Sequence, residues 1–461
     1  MDTAEEKRAT AAGWLPKALG AVKGARYLAV VDALEADILS GRMQPGARLL
    51  PQRDMAASLG LSVGTIAKAF AEATRRGLIS AEVGRGSFVI DRGTTAQDHW
   101  SGPIDLTLNV SPPVGEAELV STALAALASE GDLNRLLGYL PHPGLPEHRA
   151  AAARWLTTQG IEAPIDRIAL CNGAQHAISI AMAIAARPGD VVLTEAVTYA
   201  GISALAEIAG YRLHGVAMDK EGVQPEALEA ALQKTRARVF YCMPRLQTPT
   251  GVTMSAARRE AIAGIVRKYD AFVVEDDIYS FLSSPDITPL TCLLPERGFH
   301  VSSFAKCAGP GLRIGALVMP DWATDRAKMA LRAEGWMANP IMAAVVARMI
   351  GDGSMAELAN RKRMAAAQRW SLARGILGDK FVPDIQPMFH LWLPLGFPAV
   401  ELITAAAMRG VVLASPTLSE GDAPPLGVRL CLGAPEQIDD LARALKIIAI
   451  ALEDSGRHNF I

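Results

Sequence analysis

The sequence predicts two folds in tandem: a mostly helical winged helix-turn-helix, then an α/β unit on a largely parallel sheet, closed by a smaller α+β subdomain. Three observations carry this. Residues 25–90 read as three short helices punctuated by Gly and Pro, followed by two apolar runs around a VGRG turn. From about residue 105, short apolar runs alternate with amphipathic helical stretches. Between the two, DRGTTAQDHWSGPI is polar and without periodicity. The expected division is therefore a head at 1–90, a linker at 91–104, a large unit at 105–354 and a small C-terminal subdomain at 355–461.

Composition bounds the function. The 461 residues are 50% hydrophobic and 20% charged, which excludes wholesale disorder and allows large cores. No apolar run approaches the roughly 18 residues of a membrane span. The richest stretch, 177–186, is short and begins beside His176. The opening MDTAEEKRAT is acidic and polar, unlike a secretory signal. Five scattered cysteines without CxxC spacing support neither a disulfide framework nor a structural zinc site, so a reducing cytoplasm is expected. The net charge of −2 makes no global case for nucleic acid, yet residues 1–90 carry 12 Lys/Arg against 9 Asp/Glu.

In the head, 27–39 places Val30, Val31, Leu34 and Ile38 on one helical face. GRMQPG stops that helix by turn chemistry. Pro51 suits the first turn of a helix running to Leu59, which Gly60 ends. Ser62 can cap the next helix, 63–76, closed by Gly77. The runs within 78–90, around VGRG, then read as a hairpin wing. Across 25–90 the set Gly41, Pro45-Gly46, Leu50-Pro51, Arg53, Ala56, Leu59-Gly60, Ser62, Thr65, Ala69-Phe70, Gly77, Gly84, Gly86, Phe88 and Val89 resembles the DNA-binding domain of the GntR family. In such a head the amino end of the 63–76 helix enters a major groove. Ser62, Gly64 and Thr65 bring small polar groups and backbone N–H groups to DNA, while Arg53, Lys68 and Arg85 reach phosphates or base edges. The resemblance departs at Val63, where the family often carries Arg.

In the large unit, strand-like runs fall at 168–170, 191–195, 239–243, 272–275, 301–304 and 316–319, alternating with helices such as 174–186 and 256–269. The tail adds helices near 361–377 and 438–452 and strands near 388–393, 411–414 and 428–431. Five motifs lie along this framework. VSSFAKCAGPGLRIG ends an apolar run with Lys306 before a Gly/Pro turn and Arg313. An amine so placed can attack an aldehyde, Arg313 can chelate a phosphate, and Ser302 and Ser303 can add donors. VVEDDIY puts carboxylates at a strand end: Asp276, or alternatively Asp277, can face a ring nitrogen, and Tyr279 a phenolate oxygen. Nearby histidine ligands are expected to be missing, which argues against a metal there. CNGAQHA opens a helix with Gly173 and Ala174, a phosphate cradle that by itself is a common helix start. TEAVTYAG offers Tyr199 to stack on a ring, although a packed aromatic is an equal reading. MPRLQTPTG is a strand end and turn that would line a ring edge. Together they point to pyridoxal phosphate (PLP).

In this order the motifs resemble the fold type I aminotransferases over about 105–455. The resemblance implies that Lys306 forms the Schiff base, Asp276 pairs with the pyridine nitrogen, Tyr279 contacts the phenolate oxygen and Tyr199 stacks on the ring. It places Gly173, Ala174, Gln175, Ser303 and Arg313 around the phosphate. Tyr139, in GYLPHPG, would reach the phosphate of a neighbouring subunit, and Arg429, in GVRLCLG, would clamp an amino acid carboxylate. Thr248 stands where many of these enzymes have asparagine, and Ala305 replaces a frequent serine, departures that bear on fast transamination.

A GntR-like head ahead of an aminotransferase-like unit resembles the MocR family of transcriptional regulators. That resemblance implies a head-to-tail homodimer on double-stranded operator DNA, with PLP, an amino acid or another amine as effector. The alternative is a catalytically active aminotransferase whose head is vestigial or a docking module.

Overall fold

The computed structural model describes residues 14–15, 26–39, 42–43, 46–76, 78–82, 86–89, 103–129, 133–379, 382–383, 385–415 and 426–458. The chain separates into two compact units, Met1–Gly102 and Pro103–Ile461. Among the described residues no helix is long and apolar enough to cross a membrane.

The first unit is built from α1 (Arg26–Leu39), α2 (Gln52–Leu59), α3 (Val63–Arg75) and the antiparallel pair β1 (Ile79–Glu82) and β2 (Gly86–Val89). Pro51 sits at the cap position of α2, one residue before the first turn where the sequence set it. Gly60 ends α2 in the left-handed region, φ +61°, a conformation that glycine adopts without steric cost. This lets the chain double back at once. Ser62 caps α3: its Oγ accepts the Thr65 N–H at 3.1 Å, satisfying a donor the helix leaves free. Val30, Val31, Leu34, Met55, Ile66, Phe70, Leu78, Ile79 and Val89 close one core. Arg85, Gly41, Pro45, Gly77 and Gly84 lie outside the described residues, as does most of 91–104. Ile104, within the span read as a linker, is already strand: β3 (Ile104–Asp105) runs parallel to Val411–Val412.

The second unit centres on a seven-stranded sheet of β4 (Ile168–Cys171), β5 (Val191–Glu195), β6 (Arg212–Val216), β9 (Val239–Cys242), β10 (Phe272–Asp276), β11 (Gly298–Ser303) and β12 (Gly315–Val318). A two-residue pair, β7 (Met218–Asp219) and β8 (Gly222–Val223), follows β6. The spatial order is β4-β12-β11-β10-β9-β5-β6, and only β12 runs against its neighbours. These strands are buried on both faces almost throughout, which explains their unbroken apolar runs. The tail forms the antiparallel pair β13 (Leu391–Pro394) and β15 (Gly427–Leu430), the short β14 (Val411–Val412), and the helices Ser354–Leu377, Ala399–Ala407 and Ile438–His458. The strand read at 388–393 starts only at Leu391.

Because β12 is the single reversed strand, the carboxyl ends of β4, β5, β9, β10 and β11 all open on one edge of the sheet. The five motifs each run across or directly follow one of those ends, so the topology alone gathers them.

Replacing Ser62 with Ala removes the α3 cap and should lower the stability of the head by about 1 kcal/mol. Denaturant unfolding of the full chain, followed by a probe in the first unit, checks this.

Candidate functional site

Lys306 lies three residues beyond β11, in the turn between β11 and β12. Its Nζ donates to the backbone oxygen of Asn109 and stands 5.9 Å from the centre of the Tyr279 ring. Burial pushes this amine down to about 8, and the nearby Arg429 guanidinium adds to the effect. At neutral pH roughly a tenth of it is then the free base that can attack a carbonyl, hundreds of times the fraction of an ordinary lysine.

Asp276 closes β10. Its side chain is buried, and its Oδ2 accepts the Tyr241 hydroxyl at 2.8 Å, while Oδ1 is buried without a partner. Tyr241 reaches it because β9 and β10 pair with Val274 opposite Tyr241, which puts Asp276 two residues on, on the same face. Burial raises the Asp276 carboxyl to about 6, and the charge of Asp277 contributes, so it is still ionised at neutral pH. Glu195, at the end of β5, is raised further, to about 8, by burial and by the Asp276 charge. The environment thus keeps one carboxyl charged and its neighbour protonated.

Asp277 serves another role. It is held by Arg245 through a two-pronged contact and lies 3.5 Å from His300 Nε2. Glu275, whose burial is outweighed by its bonds to His300 and Thr291, is pulled down to about 2. This corrects the expectation that no histidine stands near VVEDDIY. Glu275 and His300 are directly opposite on β10 and β11, and with Asp277 they form a cluster of metal-ligating types. The Arg245 guanidinium already pairs with Asp277, and Glu275 already accepts from Leu290 N, Thr291 N and Thr291 Oγ1. These three side chains tie β10 to β11 behind the pocket.

Tyr279 is fully buried, its hydroxyl has no hydrogen-bond partner, and burial raises it far above its ordinary value. Tyr199 caps the helix Ala200–Ala209 and is raised by burial and by the Asp276 charge. A Cβ at Gly201 would fall 2.2 Å from the Tyr199 ring and 2.4 Å from Gln175 Oε1, so only glycine lets that ring lie where it does. Gln175 Nε2 holds the Gly201 oxygen at 2.9 Å.

Gly173, at φ +86°, caps the helix Ala174–Ala185 with no side chain bonded to the cap. A Cβ there would meet Arg313 at 2.7 Å. Arg313 is exposed and donates to the Asn172 oxygen at 3.0 Å, over the same helix start. Gly315 is equally confined: its Cβ would fall within 3.0 Å of Gly173 C, Ser302 O and Ala174 N. The start of the helix at Ala174 and the Arg313 guanidinium therefore lie side by side, the chemistry of an anion site. Ser303, buried at the end of β11, accepts the Ala305 N–H at 3.2 Å.

Arg429 on β15 donates to the Thr107 oxygen at 2.7 Å, and its buried Nε has no partner. Tyr139 is not among the buried set: it is 84% exposed and packs on Trp336 at 5.1 Å. In the first unit Arg53, Ser62, Gly64 and Lys68 are exposed, while Thr65 is half-buried and shares a 2.8 Å bond between its Oγ1 and Ser62 Oγ. Sequence reasoning missed Asn109, Tyr241, His390 and Cys431. Asn109 Nδ2 meets His390 Nδ1 at 3.3 Å, and burial with Arg429 and Lys306 nearby drives His390 down to about 3, so it is neutral. The Cys431 thiol donates to the Thr107 oxygen at 3.4 Å, and burial raises it.

Comparison with known proteins agrees with this geometry. Residues 103–445 match the family model for aminotransferase class I and II, and the chain belongs to that family. Residues 26–89 match the gntR family of bacterial regulatory proteins, so the head is a DNA-binding winged helix. The pairing is the MocR-type arrangement that the sequence resembles. The HTH-type transcriptional regulator YdeF of Bacillus subtilis is 28% identical, over 93% of this chain and 94% of its own. The vitamin B6 salvage pathway transcriptional repressor PtsJ of Salmonella typhimurium is 28% identical, over 87% and 93%. Among solved structures, the kynurenine aminotransferase of Pyrococcus horikoshii superposes with a TM-score of 0.70 at 23% identity, over 77% of this chain and 92% of its own. The α-aminoadipate aminotransferase LysN of Thermus thermophilus gives 0.68 at 23%, over 80% and 96%.

The fold and the family imply PLP, and the residues fit it. The buried polar atoms without partners include Asp276 Oδ1, Tyr279 OH, Asn109 Oδ1 and Arg429 Nε, on residues that touch or act electrostatically on Lys306, and Gln175 Oε1 in the first turn of the helix that Gly173 caps. So many unsatisfied groups in one place are the mark of a polar ligand site. When bound, PLP supplies an aldehyde for an amine and a ring that withdraws electrons.

The lowered Lys306 amine gives a pH prediction. The rate at which added PLP develops its visible absorbance band on cofactor-free protein should rise about tenfold per pH unit below 8 and flatten above it. An unshifted lysine would keep the rate climbing past pH 10.

Proposed function

We propose that this protein is a transcriptional regulator that binds operator DNA through its head and senses a vitamin B6 compound or an amine in the Lys306 pocket. The observation that carries the reading is the presence, in one chain, of a capped helix in a GntR-type head and, at the strand ends of the second unit, a lowered lysine beside a buried, ionised carboxylate.

Each site residue has a part. Lys306 Nζ is the group that would hold the cofactor. Asp276 Oδ1 would accept from its ring nitrogen and keep that nitrogen protonated. Tyr279 would donate to its phenolate oxygen, and Tyr199 would cover one face. Gly173, Ala174, Gln175, Ser303 and Arg313 would receive the phosphate. Arg429, with its unsatisfied Nε, would take the carboxylate of an amino acid effector. Exchange of the Lys306 bond for an effector's amine would make large local differences in contact, which is what a ligand needs to shift an equilibrium. The name of PtsJ supports a vitamin B6 compound as the signal.

The exposure of Tyr139 supports a dimer in which it contacts the partner's phosphate site, with the subunits head to tail. Such a DNA reader would work in the cytoplasm. Within the second unit, a boundary near 354/355, where the helix Ser354–Leu377 begins, would let the small subdomain close on the pocket.

In the head, Gly64 supports close approach by DNA. It is exposed, and a Cβ there would meet only Ser62 Oγ, at 3.9 Å, so its bareness serves nothing inside the fold. Arg53, Ser62, Thr65, Lys68 and, outside the described residues, Arg85 complete the proposed contact set.

The second reading, an active aminotransferase, is favoured by the near-complete set of catalytic groups. It is weakened by Thr248, whose Oγ1 is a shorter donor than the asparagine amide of many of these enzymes.

Binding of the full chain to the DNA upstream of its own gene should weaken steeply with salt and change when PLP or an amino acid is titrated. Gly64→Ala should leave thermal stability undiminished while weakening DNA binding, and Lys68→Ala should reduce the salt slope by about one. Rapid turnover of an amino acid with a keto acid, together with no selective DNA binding, would overturn the regulator in favour of the enzyme.

A further inference from the structure

The strands that end at the Lys306 pocket begin, on the opposite edge of the sheet, at a second cavity. Its volume is about 650 Å³, within the range of small-molecule sites of about 300–1,000 Å³. β10 enters it with Phe272 and leaves for the first pocket with Asp276. Arg238 lies just before β9 and Arg297 just before β11. Ala185, the last residue of the helix that Gly173 starts, also lines it.

The lining has two chemistries. Two aromatic rings form a wall: Phe272 and Trp322 stand 5.4 Å apart, and Trp322 is 43% exposed. Its indole N–H donates to the Glu296 oxygen at 3.1 Å, which fixes the plane of the ring. Four guanidiniums surround the wall. Arg238 lies over Phe272 at 5.8 Å and Arg326 over Trp322 at 5.6 Å. Arg238 and Arg297 share Asp270. Arg187 and Arg326 are exposed and have no carboxylate partner among the described residues. The two carboxylates of the lining are otherwise engaged: Glu296 pairs with Arg267 at 3.0 Å, and Asp190 accepts the backbone N–H of Arg187 at 2.8 Å.

We propose that this groove is a second ligand site for a planar heteroaromatic ring carrying a phosphate, with the ring on Trp322 and Phe272 and the phosphate between Arg187 and Arg326. Flat walls already faced by guanidiniums suit stacking, and forked donors without partners suit a phosphate. Two sources share this chemistry: a nucleoside monophosphate, and a phosphorylated B6 vitamer beyond the one held at Lys306. The groove lies at the far end of the strands from Lys306, so the site stands whether or not the head reads DNA.

The test is isothermal titration of the full chain loaded with PLP, at low salt. The probes are adenosine 5′-monophosphate and pyridoxine 5′-phosphate, which has no aldehyde, with inorganic phosphate as the control. At least one ring phosphate should bind, and the double variant Arg187→Ala/Arg326→Ala should weaken it at least about tenfold, as expected when charge-assisted bonds are lost. The melting temperature and the cofactor absorbance band should not change, since both side chains are exposed. Whichever probe binds identifies the source. The proposal is overturned if neither binds, if inorganic phosphate binds as tightly, if the double variant binds like the parent, or if only random-sequence duplex DNA binds at these arginines.

Discussion

A carboxylate buried with one oxygen unsatisfied needs a positive or proton-donating partner, and Asp276 is such a group. Burial alone would drive it to the neutral form. The Tyr241 hydroxyl resists that shift and holds the carboxyl near 6, so a charge persists at the buried end of β10. The rest of the second unit is arranged around this one constraint. Glu195 beside it is protonated, Asp277 behind it is neutralised by Arg245, and His390 across the pocket is uncharged. Lys306 is half-buried close to Asp276, with its amine weakened rather than satisfied by an ion pair. A ligand with a protonated ring nitrogen and an aldehyde answers both needs at once.

The sheet topology converts this chemistry into a site. A single reversed strand, β12, lets the chain return between β11 and β4 while every other strand keeps its carboxyl end on one edge. The ends of these strands and the turns after them then bring Lys306, Asp276, Tyr199 and the helix start at Gly173 to that edge. Gly173, Gly201 and Gly315 are required because ring, guanidinium and backbone press into the space a Cβ would take. Bulkier residues at these positions would push apart Arg313, Tyr199 and the helix start that have to meet.

Local grammar made much of this readable from the sequence. Helix caps such as Ser62, the αL stop at Gly60 and the glycine turns after strands are short-range signals, and they placed the head and all five motifs. Lys306, Asp276, Tyr279, Tyr199 and Arg429 could be named as candidates because each sits in such a motif. The unread residues depend on register or on long-range return. Tyr241 serves Asp276 only through the β9–β10 pairing, and His300 meets Glu275 only through β10–β11. Asn109 and His390 meet across 281 positions, which no local pattern encodes. Asp276 and Asp277 differ through Arg245, 32 residues back in the sequence, which pairs with the second, and no local pattern encodes that contact. The strand start read at 388 failed because buried residues before β13 have the same apolar look as the strand itself.

The most direct measurement is borohydride reduction of the protein with PLP, followed by peptide mapping by mass spectrometry. The account predicts a single phosphopyridoxyl group on the peptide containing Lys306, and a much weaker yield when Asp276 is changed to Ala. Label spread over surface lysines, or a Lys306 yield indifferent to Asp276, would contradict it.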